Sequence, residues 1–412
     1  MKTINNKICR MCECKKFTSI VNLGKHPLVN RLVEKKNLKQ KDPYFQLHVK
    51  QCNKCKLAQL KEIIDSNEIY KKTDYLYFSS EMPNLAKYFK NYAQDLKKRF
   101  LKKNDLVVEI GCNDGLMLQN FKKNNRILGV DPATNVILRA LKRNITSIPE
   151  FFTDDIAKKI FNEWGQAKLV YGNNCIAHLN NLKDVATGVS RILVKGGVFV
   201  IECNYWGRMV EDVNYGLIYH DHFSYFSVKN LTSFGKRYGL FAFDAIVTDA
   251  QGGSLRIFFS KGRRSMTPRF KKLLKNENDT NLNSFKTSSE YRKKVYKTTN
   301  KLKKLINELK RKKKKIAGYG AAAKGMTIIK SSGIGKKHLD YFVDDSPAKQ
   351  GLYTAGDKIP IISRKQANIK LPDYFIILAP NYAKFIMAKE KRFLAQGGKF
   401  IVPVGNIEVV GK

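Results

Sequence analysis

The stretch 219–227, YHDHFSYFS, contains the residue types of a proton-transfer site. Two histidines, His220 and His222, flank Asp221, and Tyr219 comes immediately before them. Histidine titrates near neutral pH, and a neighbouring carboxylate can raise its basicity and fix its tautomer. The grouping therefore favours general acid–base chemistry. A metal site, which needs three convergent ligands, and a satisfied structural cluster are the alternatives.

The stretch 107–115, VVEIGCNDG, is typical of a ligand-binding loop. An apolar run ends at Glu109, and a polar turn lies between Gly111 and Gly115, where the backbone can approach a ligand closely. The Gly-Lys-Ser/Thr of a P-loop and the third glycine of the dinucleotide fingerprint are both absent. The loop resembles the S-adenosylmethionine loop of class I methyltransferases, with an ordinary strand-to-helix turn as the alternative.

Residues after the neighbouring strands are predicted to surround the same cofactor. The apolar strand 127–130 ends at Asp131, whose carboxylate can accept hydrogen bonds from a ribose diol. The predicted strand 169–171 leads to Asn173 and Asn174 at the same crevice. The predicted cofactor-binding residues are Glu109, Gly111, Asn113, Asp114, Gly115, Asp131, Pro132, Asn173 and Asn174.

Four cysteines near the N-terminus form two Cys-x-x-Cys pairs, Cys9 with Cys12 and Cys52 with Cys55. Two such pairs bring four thiolates together tetrahedrally, which suits zinc. A site saturated with four sulfurs leaves no position for water, so its role would be structural. The distance between the pairs exceeds the commonest zinc-ribbon spacing, and four reduced cysteines without metal are the alternative.

The elements that must position these residues alternate between strand and helix from residue 105 onward, with a helix predicted from about residue 116. Such alternation predicts an α/β fold with a doubly wound parallel sheet, whose ligand crevice lies at the carboxyl ends of the strands. Two further strands, 241–247 and 252–260, are joined by a Gln-Gly-Gly turn. An antiparallel pair closing a parallel sheet is what the class I methyltransferase fold displays.

A charged helical connector, 264–315, leads to a second α/β unit that begins with KIAGYGAAAKG at 315–325. Its glycine turn and helix N-terminus could cradle a phosphate, with Lys324 as the counter-charge. The third glycine of a full dinucleotide site is missing, so we expect this Rossmann-like domain to assist substrate binding or dimer contacts. The predicted domains are zinc-binding 1–74, methyltransferase 75–262 and C-terminal 263–412.

The segment YLYFSS, 75–80, carries several hydroxyl groups in a short span. Taken alone, the segment predicts that Tyr77 packs as an ordinary aromatic side chain and that Ser80 forms part of a helix cap. The functional alternative is that these hydroxyls are presented to a substrate.

The chain is strongly basic, with a formal charge of +42 from 77 Lys and Arg against 35 Asp and Glu. The lysines are spread along the chain and no recognition module accompanies them, so we expect no nucleic-acid partner and a preference for anionic substrates such as phosphates. No apolar run is long enough to span a membrane, which predicts a cytoplasmic protein without a membrane partner. Eight cysteines in that compartment favour metal binding or free thiols over disulfides.

Taken together, the motifs resemble one family over essentially the whole chain: the S-adenosylmethionine-dependent C-methyltransferases of unusual deoxysugar biosynthesis. Family members combine an N-terminal zinc-binding domain, a central methyltransferase domain and a C-terminal Rossmann-like domain. The matching segments are the two cysteine pairs, YLYFSS, VEIGCNDG, NNCIAHL, YHDHFSYFS, GGSLR, GYGAAAKG and VDDSPAKQG.

The resemblance implies methylation of a carbon beside the ketone of a nucleotide-linked 4-keto sugar, through an enolate that attacks the sulfonium methyl. It places the base on His222, with Tyr219 and Asp221 holding substrate and imidazole. It also makes Tyr77 catalytic, contrary to the packing interpretation, and His178 a second candidate for proton handling. The residues assigned to substrate binding are Ser79, Ser80, Asn30, Lys324 and Asn381.

Two departures from the family pattern affect the choice of sugar. Asp221 replaces the usual Glu, and Gln251 stands where many members have His. The expected protein is a monomer or homodimer that binds S-adenosylmethionine and structural zinc and uses no catalytic metal. The alternatives are an O- or N-methyltransferase of a small molecule and, from a different class, a nucleic-acid-binding protein or RNA methyltransferase.

Overall fold

The computed structural model describes residues 1–72, 74–82 and 84–411. Within this part of the chain, the strands form four sheets, which belong to three structural units. The N-terminal unit is built from short strands and a long antiparallel hairpin. Its elements are β1 (Thr3–Asn5), β2 (Phe17–Pro27), β3 (Tyr44–Cys52), β4 (Ala58–Leu60), β5 (Glu62–Ile64) and α1 (Ser66–Tyr70).

The central unit contains a seven-stranded sheet flanked by helices. Strand β6 is buried along its whole length, which is typical of a parallel strand covered on both faces. The elements are α2 (Leu85–Phe100), β6 (Leu106–Ile110), β7 (Arg126–Val130), α3 (Thr134–Lys142), β8 (Ser147–Ile148), α4 (Asp154–Trp164), β9 (Ala167–Asn173), α5 (Leu182–Ile192), β10 (Leu193–Asn204), α6 (Trp206–Glu211), β11 (Ser224–Tyr225), α7 (Val228–Lys236), β12 (Leu240–Thr248) and β13 (Ser254–Lys261).

The strand order of this sheet is β12-β13-β10-β9-β6-β7-β8. Strands β8, β7, β6, β9 and β10 run parallel, whereas β13 is antiparallel to β10 and β12 is antiparallel to β13. The order reverses at β6 and β9, so the loops after these two strands border one crevice. The predicted α/β class and its closing antiparallel pair are confirmed.

The C-terminal unit begins with two helices and continues as a six-stranded sheet of order β16-β15-β14-β17-β18-β19. This sheet is parallel except for β19, as expected of a Rossmann-like unit. Its elements are α8 (Pro268–Asp279), α9 (Phe285–Arg311), β14 (Ile316–Tyr319), α10 (Ala323–Ser331), β15 (Phe342–Val343), β16 (Ile361–Ile362), α11 (Arg364–Ala367), β17 (Tyr374–Ile377), α12 (Ala383–Lys389), α13 (Lys391–Ala395), β18 (Lys399–Val402) and β19 (Glu408–Val410).

The helix expected from about residue 116 is wrong, because the chain there makes only a short 3₁₀ helix, Leu118–Asn120. The Gln119 amide donates to the Leu116 carbonyl at 2.9 Å, and the Asn120 amide donates to the Leu116 and Met117 carbonyls at 3.1 and 2.9 Å. Side chains that bond to nearby carbonyls compete with the backbone bonds of a helix.

The three units pack through a shared interior. Strand β11 of the central unit pairs antiparallel with β4 and completes the N-terminal sheet in the order β11-β4-β3-β2. Val33 of the N-terminal unit bridges to Tyr353 of the C-terminal unit. One buried apolar cluster includes Ile20, Ile201 and Ile328, one residue from each unit. Elements distant in sequence can therefore line a common cavity.

Candidate functional site

A cavity of about 270 Å³ lies where the three units meet. Its walls come from the loops after β6, β7 and β9, from segment 75–82, from the histidine motif and from the C-terminal glycine loop. The predicted site residues that line it are Asn30, Tyr77, Ser79, Gly111, Asn113, Asp131, Pro132, Asn173, Asn174, His178, Tyr219, His222, Lys324 and Asn381.

His222 is held in one defined orientation at this wall. Its Nδ1 lies 2.8 Å from the carbonyl oxygen of Leu217, so Nδ1 carries the hydrogen and donates. The Asn204 amide, at the end of β10, lies 3.3 Å from the same nitrogen. Burial and the nearby His178 lower the pKa of His222 well below its ordinary value of 6.5. The imidazole is therefore neutral at pH 7, with Nε2 as its basic nitrogen.

Two aromatic neighbours enclose the His222 ring. Tyr219 packs against it with ring centroids 3.9 Å apart, and the His178 ring lies 4.9 Å away. His178 Nδ1 is 2.7 Å from the Tyr70 hydroxyl, and burial lowers the pKa of His178 to about 4. Its Nε2 is buried and has no hydrogen-bond partner within the described residues. Both imidazoles can thus exchange protons without carrying a resting charge.

The prediction that Asp221 holds the imidazole is wrong. Its Oδ2 accepts a hydrogen bond from Asn30 Nδ2 at 2.6 Å, whereas His222 is oriented by a backbone carbonyl. Asp221 and His222 lie in a tight turn, which is closed by the His222 N–H donating to the Tyr219 carbonyl at 2.9 Å. Burial raises the pKa of Asp221 to about 6. The carboxylate therefore anchors Asn30 from the N-terminal unit at the cavity wall.

The glycine loop reaches the cavity through Gly111, which has a φ of +68°. A Cβ at Gly111 would lie 2.5 Å from Cys175 Cβ, so the position accepts no side chain. The Asn113 N–H donates to Asp131 Oδ2 at 2.9 Å, and the Ala133 N–H donates to Asp131 Oδ1 at 3.0 Å. These bonds fix the carboxylate at the end of β7, and burial raises the pKa of Asp131 to about 6.

Five of the predicted residues do not line the cavity. Glu109 Oε2 accepts from the Tyr171 hydroxyl at 3.1 Å. The Asn113 side chain accepts from the Ser79 N–H, and Asp114 Oδ2 accepts from the Ser80 N–H at 3.0 Å. The glycine loop thus holds segment 75–82 in place. The residues absent from the wall are Asp221, Glu109, Asp114, Gly115 and Ser80.

The unpaired polar atoms of the wall suit the binding of S-adenosylmethionine. The side-chain oxygens of Asn173 and Asn174 are buried and lack hydrogen-bond partners in the described part of the chain. They line the same cavity as Gly111 and Asp131. A polar ligand that approaches the glycine backbone and carries hydroxyl and amino hydrogens would satisfy these acceptors.

The opposite wall carries a cation from the C-terminal unit. Lys324 Nζ donates to the Gln251 carbonyl at 2.5 Å and lies 3.5 Å from its side-chain oxygen. The Gln251 amide in turn lies 3.4 Å from the Tyr77 hydroxyl. Burial lowers the pKa of Lys324 to about 8, so it is mostly protonated at pH 7. Gln251 therefore connects a lysine of one unit to a tyrosine of another.

The four predicted zinc ligands converge as their spacing indicates. The Sγ atoms of Cys9, Cys12, Cys52 and Cys55 all lie within 4.8 Å of one another. The Cys9–Cys55 and Cys12–Cys52 pairs are 3.4 and 3.5 Å apart, close to the edge of roughly 3.8 Å in a tetrahedral zinc–thiolate site. This geometry fits a closed, structural zinc ion.

Glu202 is a cavity residue that sequence reasoning missed. Its Oε2 accepts from Arg256 Nε at 2.7 Å and from the Tyr88 hydroxyl at 2.8 Å. Its Oε1 is buried without a hydrogen-bond partner among the described residues. Glu202 lies near the carboxyl end of the parallel strand β10, as Glu109 does in β6, and its position in the apolar run GVFVIEC, 197–203, was the available signal.

Comparison with known families covers nearly the whole chain. A model described as "Putative zinc binding domain" matches residues 9–70. One described as "Methyltransferase domain" matches 85–241, and "C-methyltransferase C-terminal domain" matches 249–405. The curated protein C-methyltransferase NovU of Streptomyces niveus is 31% identical over 406 residues, which cover 98% of this chain and 96% of NovU.

Solved structures match less than half of the chain, and more distantly. The plantazolicin methyltransferase BpumL is 15% identical, with a TM-score of 0.35, over 45% of this chain and 87% of BpumL. An S-adenosylmethionine-dependent methyltransferase of Thermotoga maritima is 17% identical, with a TM-score of 0.34, over 44% of this chain and 94% of its own.

The strand order, the glycine loop and the matched domain define the class of protein, an S-adenosylmethionine-dependent methyltransferase with a class I fold. The full-length similarity to NovU then identifies the family. The chain belongs to the C-methyltransferases, with S-adenosylmethionine as cofactor and a structural zinc ion in its N-terminal unit. Among the described residues, no helix has the length and apolar character that crossing a membrane requires.

Proposed function

We propose that this C-methyltransferase acts on a nucleoside-diphosphate-linked 4-keto deoxysugar and methylates a carbon next to the ketone. The observation that carries the proposal is the state of His222 at the cavity wall: its Nδ1–H is committed to the Leu217 carbonyl, which leaves Nε2 as a neutral base. C–H bonds beside a ketone are acidic enough for such a base, provided that the oxyanion is stabilised.

In the proposed reaction, His222 Nε2 removes the proton alpha to the ketone and leaves an enolate on the substrate. Tyr77 and Tyr219 line the same cavity, and burial raises their pKa values above the ordinary value of 10.0. Their hydroxyls therefore stay protonated and can donate hydrogen bonds to the enolate oxygen. S-adenosylmethionine, when bound, supplies an activated methyl group. His178 is the second proton-handling residue of the proposal.

The diphosphate of the substrate would bind at the C-terminal wall. Helix α10 starts at Ala323, next to Lys324, and helix N-termini favour anions. Lys349 also lines the cavity and supplies a second cation, although it is paired with Asp344 at 3.2 Å. Asn30, Asn381 and Ser79 would complete the contacts to the sugar and nucleotide. The cofactor would bind across Gly111, Asn113, Asp131, Pro132, Asn173 and Asn174.

The test is mass spectrometry of the protein incubated with S-adenosylmethionine and a panel of nucleoside-diphosphate 4-keto deoxysugars. A gain of one methyl mass on the sugar nucleotide is expected. Solvent deuterium should also enter the sugar carbon when the cofactor is left out, because enolate formation precedes methyl transfer. Turnover of a compound without an acidic C–H, and no exchange into any panel member, would contradict the proposal.

Three expectations from the sequence stay predictions: the domain boundaries at 74/75 and 262/263, the cytoplasmic location, and the monomeric or homodimeric state.

A further inference from the structure

The first zinc knuckle places a basic residue between two ligands of the metal. Arg10 lies between Cys9 and Cys12, and its backbone N–H donates to Gln59 Oε1 at 3.0 Å. The knuckle turn is closed by the Glu13 N–H, which donates to the Cys9 carbonyl at 2.9 Å. The backbone of Arg10 is therefore fixed by the four cysteines and their turn.

The Arg10 side chain leaves the N-terminal unit and enters the central one. Its Nε donates to Ser224 Oγ at 3.0 Å, and its Nη2 donates to the carbonyl of Leu179. The guanidinium carbon lies 5.2 Å from the centre of the Phe223 ring. These partners lie 169 to 214 residues away in the sequence.

Two of these three partners directly follow a histidine of the cavity. Leu179 directly follows His178, and Phe223 directly follows His222. The two segments are also joined by the Phe223 N–H, which donates to the Ala177 carbonyl at 2.9 Å. Arg10 contacts the same two segments. Its planar guanidinium, which carries several donors, supplements the backbone hydrogen bond between them.

We propose that Arg10 is a positioning residue for methyl transfer, through which the zinc knuckle holds the His178 and His222 segments at their working separation. The zinc unit then contributes to the reaction as well as to folding. A bidentate guanidinium restrains both segments together, whereas a lysine in its place would restrain one contact at a time. The proposal rests on the role given to His222 above.

The test replaces Arg10 by Gln and by Lys, with Lys54→Gln as the matched control. Lys54 is an exposed basic residue of the second knuckle. R10Q should lower kcat about 10- to 100-fold, as displacement of a reacting group by about 1 Å does. Zinc content, the dissociation constant of S-adenosylmethionine and KM should match the wild type. R10K should recover part of kcat, and K54Q should equal the wild type.

A second readout measures the histidines directly. Nitrogen-15 NMR of labelled side chains, assigned with H178Q and H222Q, follows the pKa of His222 without substrate. If the segments separate in R10Q, His222 loses its neighbour and gains water, so its pKa and the acid limb of the kcat profile should both rise. S224A removes one acceptor of Arg10, so it should shift the His222 pKa and the acid limb in the same direction by a smaller amount. This variant replaces R10Q in the test if R10Q does not fold.

Unchanged kcat and an unchanged His222 titration in R10Q would overturn the proposal. A fall in kcat accompanied by zinc loss, with no change in the His222 pKa, would overturn it as well, because the role would then be structural. The substrate for these assays is thymidine-diphosphate 4-keto-6-deoxyglucose. Failure of the wild type to exchange or methylate any 4-keto sugar nucleotide would instead overturn the proposed function, and the NMR titration would still test Arg10.

Discussion

The central and C-terminal units share a local motif, but the acidic residue of the motif has a different electrostatic environment in each unit. Each has a strand, a glycine turn, and an acidic residue at the end of the next strand, Asp131 in one and Asp344 in the other. Asp131 accepts two backbone N–H groups, has no ion-pair partner among the described residues and lines the cavity. Asp344 accepts the Ala321 and Ser346 N–H groups and is paired with Lys349.

Under the proposed function, the two loops would bind different ligand groups in the same cavity. The central loop offers an unpaired carboxylate, which suits the hydroxyl groups of a ribose. The C-terminal loop neutralises its own carboxylate and presents the side chain of Lys324, which suits a phosphate. A strand–glycine–acid pattern therefore predicts a ligand-binding loop, but it does not predict the charge of the ligand.

The largest expected effect is on the rate of the chemical step, without a change in the binding of the cofactor or the sugar nucleotide. H222Q should reduce methyl transfer by about 100- to 10,000-fold, because it removes the proposed base. The affinities for cofactor and sugar nucleotide, measured by calorimetry, should stay near those of the wild type. H220Q is the matched control, since His220 bonds to the Phe45 carbonyl and does not line the cavity. Equal turnover in H222Q and H220Q would contradict the assignment of the base.

Next in size is the effect of removing the unpaired carboxylate. D131N should weaken S-adenosylmethionine binding about 10- to 100-fold, since charge-assisted hydrogen bonds are stronger than neutral ones. D344N should leave that affinity unchanged, because all partners of Asp344 among the described residues belong to its own unit. Calorimetric titration with the cofactor measures both. Equal losses of cofactor affinity in D131N and D344N would contradict the proposed difference between the two carboxylates.

A smaller effect should follow from the cation of the second loop. K324M should raise KM for the sugar nucleotide about 10-fold and leave the dissociation constant of S-adenosylmethionine unchanged. Lys336→Met, at an exposed position just beyond α10, provides the control. A rise in the cofactor dissociation constant equal to the rise in KM would mean that Lys324 does not discriminate between the two ligands.

The smallest effect concerns pH. Burial lowers the pKa of Lys324 to about 8, so its positive charge is present below that pH and is lost as the pH rises through it. Affinity for the sugar nucleotide should therefore decline above about pH 8, and K324M should flatten that alkaline limb. Initial rates measured from neutral to alkaline pH at several substrate concentrations give the profile. An alkaline limb that survives in K324M would have to come from another group.

Much of the candidate site could be predicted because its signals are local. The spacing of Cys9 and Cys12 and the glycines of 107–115 act over a few residues, where backbone geometry is set by the residues themselves. The helix expected near residue 116 failed for an equally local reason, the competing amides of Gln119 and Asn120. Propensity does not count such side-chain bonds.

Contacts between distant residues were not predictable in the same way. The partner of Asp221 is Asn30, 191 residues away, and Glu202 is paired with Arg256 across two strands of the sheet. Which side chain meets which carboxylate depends on strand register and on how the units pack. No spacing rule in the sequence carries that information.

The sequence by itself determined the chemical types of this protein: four thiolates, a cofactor loop, a pair of histidines and a second glycine turn. Tertiary structure decided their assignments, since only packing leaves Asp131 unpaired, ties Asp344 to Lys349 and brings Arg10 to the histidine segments. The physical reason is that burial and partner charge, which set the state of an ionisable group, arise only when remote segments close around it.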